Sequence, residues 1–134
     1  MRPATLAKTI ERISAGEALE FALAEFLDEF YLTKTAQQQM AMLSDEPPMT
    51  GDSHVDALAG AVAEYLARQY SLDRVPGWCF GPQRYLDHAW HTSPFASAGF
   101  REYLTFASPA EFSSRNIFTE ERPLRRASAG LTPS

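Results

Sequence analysis

Cysteine is almost missing from this 134-residue chain: Cys79 stands alone, so no internal disulfide can form. The expected setting is a reducing cytoplasm. No apolar run approaches the roughly 20 residues that cross a bilayer, so no membrane association is expected. Residues 1–6 carry no apolar signal core ahead of Lys8 and Glu11, and secretion is not expected either. Glycine is scarce and scattered. Gly16, Gly51, Gly60, Gly77, Gly81, Gly99 and Gly130 never group into a phosphate-cradling loop.

Positive charge is thin in the first half. Residues 1–66 hold four Lys/Arg against eleven Asp/Glu, and residues 67–134 hold eight against six, within a net charge of −5. An acidic half argues against general binding of phosphate backbones. It fits docking on a basic protein surface that normally receives nucleic acid. A solvated acidic helix face is the plainer alternative.

What the chain does have is aromatic rings. Ten of its sixteen fall between Trp78 and Phe118: Trp78, Phe80, Tyr85, Trp90, Phe95, Phe100, Tyr103, Phe106, Phe112 and Phe118. Either they fill an aromatic interior or some are held for a partner, and the expectation is a surplus that leaves a sticky face.

The apolar spacing predicts an all-α single domain over residues 1–127, with a frayed tail at 128–134. Residues 3–70 carry the longer helices. Leu6, Ile10 and Ile13 mark the first, over 3–13. Ser14 to Glu17 has the form of a capping box opening a second helix to Leu32, with the stripe Leu19, Leu23, Phe26, Leu27 and Phe30. Thr35 to Gln38 repeats that form ahead of Met40 and Leu43. Residues 44–53 read as a mobile loop.

Ser53 then opens an alanine-rich helix to about Tyr70, with Asp56 returning the capping bond and Val55, Leu58, Val62, Tyr65 and Leu66 along its stripe. Gly60 within it marks a close approach by another helix. Residues 71–127 read as short, proline-opened helices rich in aromatics: 82–90, a longer one from Phe95 or Ser97 to Ala107, and one started by Ser108-Pro109-Ala110-Glu111. Asn116 to Phe118 reads as extended. Helices this short are not stable alone, so they must pack on the long ones or on a partner.

Catalytic signals are weak. Cys79, His88 and His91 are the one set with zinc-ligand or nucleophile chemistry, but Trp78 and Phe80 flank the cysteine and favour a small buried hydrophobe. Paired carboxylates such as Glu25 with Asp28 and Glu29, or Glu120 with Glu121, lack substrate-gripping neighbours. No cofactor, metal or catalytic residue is expected, and the chain is read as a non-enzyme. Arg101, Arg115, Arg122, Arg125 and Arg126, interleaved with Phe100, Phe112 and Phe118, form the alternative: a stand-alone nucleic-acid-binding regulator. Arg115 has a structural role open to it as well, bonding terminal carbonyls of the preceding short helix or the Glu111 carboxylate.

Trp78, Tyr85-Leu86, the stretch from Trp90 to Phe95, Ser108-Pro109-x-x-Phe112 and Arg115-Asn116-Ile117-Phe118 together resemble a family of small bacterial proteins. The resemblance runs from about Leu6 to Ala127 and is specific in the last third. Genes of that family often sit beside one for a nucleotidyltransferase-like toxin. The resemblance therefore implies an antitoxin-like or regulatory protein that binds and restrains such a partner, and it carries no catalytic motif. This chain departs from the family after Phe118, where Thr119-Glu120-Glu121-Arg122-Pro123 replaces a further aromatic or apolar residue. The expected partner-binding residues are Trp78, Trp90, Phe95, Phe112, Arg115 and Phe118, since Trp and Arg dominate interface hot spots.

Overall fold

Thr5 opens the first helix by accepting the Lys8 N–H at 3.1 Å, and α1 runs Leu6–Ser14 with Leu6 and Ile10 turned inward. The computed structural model describes residues 5–92 and 108–119. The next stretch differs from the capping box read from the sequence. Gly16 takes φ +113°, its N–H bonds the Ile13 carbonyl and the Glu17 N–H bonds that of Arg12, both at 3.0 Å. This is a glycine-based C-terminal cap, which only a residue without Cβ adopts cheaply. Glu17 turns its carboxylate to Arg12. The second helix, α2 (Leu19–Leu32), starts at Ala18 with no side-chain cap.

Thr35 does cap α3 (Ala36–Ser44), accepting the Gln38 N–H at 3.1 Å. For α4 (Ser53–Gln69) the cap is Asp52, one residue earlier than expected, accepting from the amides of His54 and Val55. Asp56 instead reaches back to the Thr50 N–H at 3.0 Å and its hydroxyl at 2.9 Å. The 45–52 connection is thereby tied to α4, and the Pro47 carbonyl accepts from Arg84 at 2.8 Å. The expected loop over 44–53 thus makes specific bonds to its neighbours.

A buried run from Val55 to Ala67 makes α4 the central helix, contacted by α1, α3 and the segments that follow it. Small side chains at Ala57, Ala59, Ala61, Ala63 and Ala67 let those neighbours approach. The largest connected aromatic group among the described residues joins α2 to the end of α4. Phe30 meets Phe26 at 6.0 Å and Tyr70 edge-on at 5.2 Å, while Tyr31 stacks on Tyr70.

The α4 helix ends on Ser71 at φ +50°, with the Leu72 N–H bonded to the Ala67 carbonyl at 2.9 Å. A serine here bears the left-handed strain that Gly16 avoids. Ser71→Gly is expected to raise stability by about 1 kcal/mol, read as a Tm gain of about 3–5 °C.

After α4 the backbone turns through 3-10 segments at Gly77–Phe80 and Pro82–Arg84. The expected helix over 82–90 stops after Arg84, because its backbone groups pair at long range. The Leu86 N–H bonds the Arg115 carbonyl, the Leu86 carbonyl accepts from the Asn116 side chain at 2.7 Å, and the Trp90 N–H bonds the Asn116 carbonyl at 2.8 Å. Trp90–His91 (β1) and Ile117–Phe118 (β2) form a parallel pair in the register Trp90↔Ile117 and His91↔Phe118. With strands of two residues, the molecule remains a mostly helical single compact domain.

The last helix among the described residues, α5 (Ala110–Ser113), follows Pro109 without a side-chain cap. The Ser108 hydroxyl, expected as that cap, bonds both the N–H and the carbonyl of Thr119. The helix expected from Phe95 or Ser97 to Ala107 and the tail at 128–134 lie outside the described residues.

Candidate partner-binding surface

Two arginines bury themselves against α4. Arg115 is 0% exposed and donates to Glu64 at 2.6 Å and to the carbonyls of Glu111 and Cys79, each at 2.7 Å. Its guanidinium lies over Tyr85 at 4.7 Å. Arg84, also fully buried, donates to the carbonyls of Asp56 and Pro47 and lies 4.9 Å over the Trp78 ring. Gly60 makes room for both: a Cβ there would sit 3.1 Å from Arg115 Nε, 3.1 Å from Arg84 Cβ and 3.3 Å from the Cys79 carbonyl. The close approach expected at Gly60 is real, but 3-10 backbone and arginines make it, not a second long helix.

This packing redistributes the six expected contact residues. Arg115 and Phe112 are interior, the latter edge-on to Tyr65 at 5.6 Å, so neither presents its side chain to a partner. The carbonyl-bonding role read for Arg115 from sequence is the one it adopts. Trp78 is half-buried, donates its indole N–H to the Leu43 carbonyl at 3.0 Å and gives one face to Arg84. Trp90 and Phe118 are half-buried beside imidazoles: His54 stacks on Trp90 at 4.3 Å and His91 on Phe118 at 5.2 Å. Phe95 lies outside the described residues, as do Arg101, Arg122, Arg125 and Arg126. With Arg115 withdrawn, the described residues leave the expected arginine face without its one described member.

Cys79, His88 and His91 do not assemble. His88 is exposed, His91 packs on Phe118, and no three His, Cys, Asp or Glu among the described residues group as metal ligands. Burial pushes the Cys79 thiol up to about 12 from an ordinary 9.0, outweighing the nearby guanidinium of Arg115. Native protein at pH 8 should therefore react with a thiol reagent far more slowly than protein in urea. The sign for stability follows: the raised value means full stabilisation below pH 9 and progressive loss as pH climbs toward 12. Equal labelling rates with and without urea would contradict this.

On the acidic N-terminal half, expected to suit a basic protein surface, the outer side of α2 carries an exposed apolar pair that the sequence reading did not single out. Phe21 is 58% exposed and Leu32 66% exposed, the two most open large apolar side chains among the described residues. They fall off the buried stripe by helical period, which was the available signal. Phe21, Glu25, Asp28 and Leu32 follow each other at steps of four, three and four, so they share one face. An open groove of about 350 Å³ lies beside them, lined by Arg12, Glu25, Phe26, Asp28, Glu29 and Leu32. Arg12 reaches across from α1 to bond Glu17 at 2.7 Å and also Glu25. Those bonds hold the Glu17 carboxyl below its usual range and strengthen the proton affinity of the guanidinium. Phe80 and Tyr70 are also open, on other elements.

No helix among the described residues is long and apolar enough to cross a membrane. Comparison with protein-family models, with curated proteins and with solved structures returns no match for this chain.

Proposed function

We propose that this chain is a non-enzymatic protein-interaction module, an antitoxin-like partner that binds and restrains a nucleotidyltransferase-like protein in the cytoplasm. The observation that carries the reading is the outer face of α2, where exposed Phe21 and Leu32 bracket Glu25 and Asp28. A protein that handles nucleotides or RNA presents Lys and Arg to phosphate. An acidic helix with apolar anchors is complementary to such a surface, the charges steering approach and the apolar groups holding the contact. Phosphate backbones, in contrast, would be repelled by this face. The buried arginines belong to the scaffold in this reading, and the half-buried rings of Trp90 and Phe118, each stacked on an imidazole, stand as secondary contacts.

Co-expression with a nucleotidyltransferase-like protein encoded nearby tests it. The two should co-purify at moderate salt, nucleotide transfer should fall in the complex, and growth arrest caused by the partner should be relieved. A partner that neither co-purifies nor loses activity would end this reading.

A further inference from the structure

The α2 face carries a more specific statement, which rests on the interaction reading and names what the partner brings to it. Phe21 and Leu32 are eleven residues apart, a span of about 16 Å at 1.5 Å per residue. Between them stand Glu25 and Asp28, with Glu29 on the flank. The groove beside them has aliphatic and aromatic lining from Leu32 and Phe26, and among the described residues its charged lining is Glu25, Asp28, Glu29 and Arg12. We infer that this face receives an amphipathic helix of the partner protein, with two apolar residues at matching separation and Arg or Lys side chains between them.

Three observations select that occupant. An apolar residue at each end of the face fits the helix-in-groove mode, in which anchors repeat along one side of the bound helix. The carboxylates call for cationic side chains, and the aliphatic stems of Arg and Lys can lie on Leu32 while their heads reach Glu25 and Glu29. A second copy of this chain is the wrong occupant, because two α2 faces laid together would oppose Glu25, Asp28 and Glu29 to the same three residues.

Arg12 is part of the site. It holds Glu25 from within the molecule, in the position an incoming guanidinium would take. It is anchored independently by Glu17, so binding does not require α1 to leave. Arg12 is therefore an internal competitor that weakens the docking of a basic helix.

The probe is a synthetic sixteen-residue helical peptide with leucines eleven positions apart and arginines between them, labelled for fluorescence anisotropy. Saturable binding to the full chain is expected, falling as salt is raised. A peptide with glutamates in place of the arginines should not bind. Phe21→Ala, and separately Glu25→Gln with Glu29→Gln, should each weaken the peptide by about tenfold or more. Arg12→Gln should tighten it severalfold, with helical content checked by circular dichroism. Binding that ignores the α2 substitutions, or that weakens in folded Arg12→Gln protein, overturns the inference.

The two proposals fail separately. If a nucleotidyltransferase-like partner co-purifies equally with the α2 variants, its contact lies elsewhere and only this inference falls. If the peptide is held on α2 while no such partner co-purifies, the inference stands and the partner reading falls.

Discussion

Glu64→Leu is expected to cost about 3–5 kcal/mol, because it strands a buried guanidinium. Arg115 has no solvent exposure, and Glu64 is the one carboxylate its guanidinium reaches within salt-bridge distance among the described residues. The other two acceptors, the carbonyls of Glu111 and Cys79, satisfy hydrogen bonds without neutralising the charge. At about 3–5 °C per kcal/mol, the midpoint should fall by roughly 10–20 °C. Arg115→Met combined with Glu64→Leu should recover part of that loss, since it removes the uncompensated cation. A single Glu64→Leu variant within about 1 kcal/mol of the parent would show that the pair is not carrying charge balance. Thermal and urea melts of both variants decide it.

Gly60→Val should destabilise by roughly 3 kcal/mol, the upper part of the range for overpacking. On an exposed helix, replacing glycine would remove a penalty of about 1 kcal/mol. Here the new Cβ meets Arg84 Cβ at 3.1 Å and the Cys79 carbonyl at 3.3 Å. Both are close to backbone and cannot swing aside as a side-chain tip would, and valine adds two methyls to the conflict. Gly60→Ala should fall between parent and valine. If valine proved neutral or stabilising by urea titration, the arginine-bearing segments would not be seated against α4 as described.

Much of the N-terminal half was legible in the sequence, because helical period and burial agree there. Phe26, Leu27 and Phe30 of the stripe are buried, the ends at Leu32 and Gln69 lie within a residue of those expected, and α3 stops at Ser44, ahead of the Pro47-Pro48 pair expected to end it. Caps were harder. Ser14 and Glu17 satisfy a capping pattern, yet Gly16 and the attraction of Arg12 give both residues other work.

After α4, local pattern fails for a physical reason. The backbone of Leu86 and Trp90 is satisfied by Arg115 and Asn116, about thirty residues away, and no local window contains that information. Arg84 and Arg115 were hidden by the same rule that makes charged residues good surface markers. Two of the aromatics near them, Tyr85 and Trp78, are the platforms on which those guanidinium groups lie, while Phe80 stays open. The exposed apolar pair, Phe21 and Leu32, was present in the sequence as the residues the buried stripe omits.

The parallel strand pair has a consequence for engineering. The Thr92 N–H bonds the Phe118 carbonyl, and Ser108 bonds Thr119. Positions 92 and 108 are thus moored to adjacent residues, Phe118 and Thr119. Labels placed at positions 92 and 108 would therefore report on one and the same strand end.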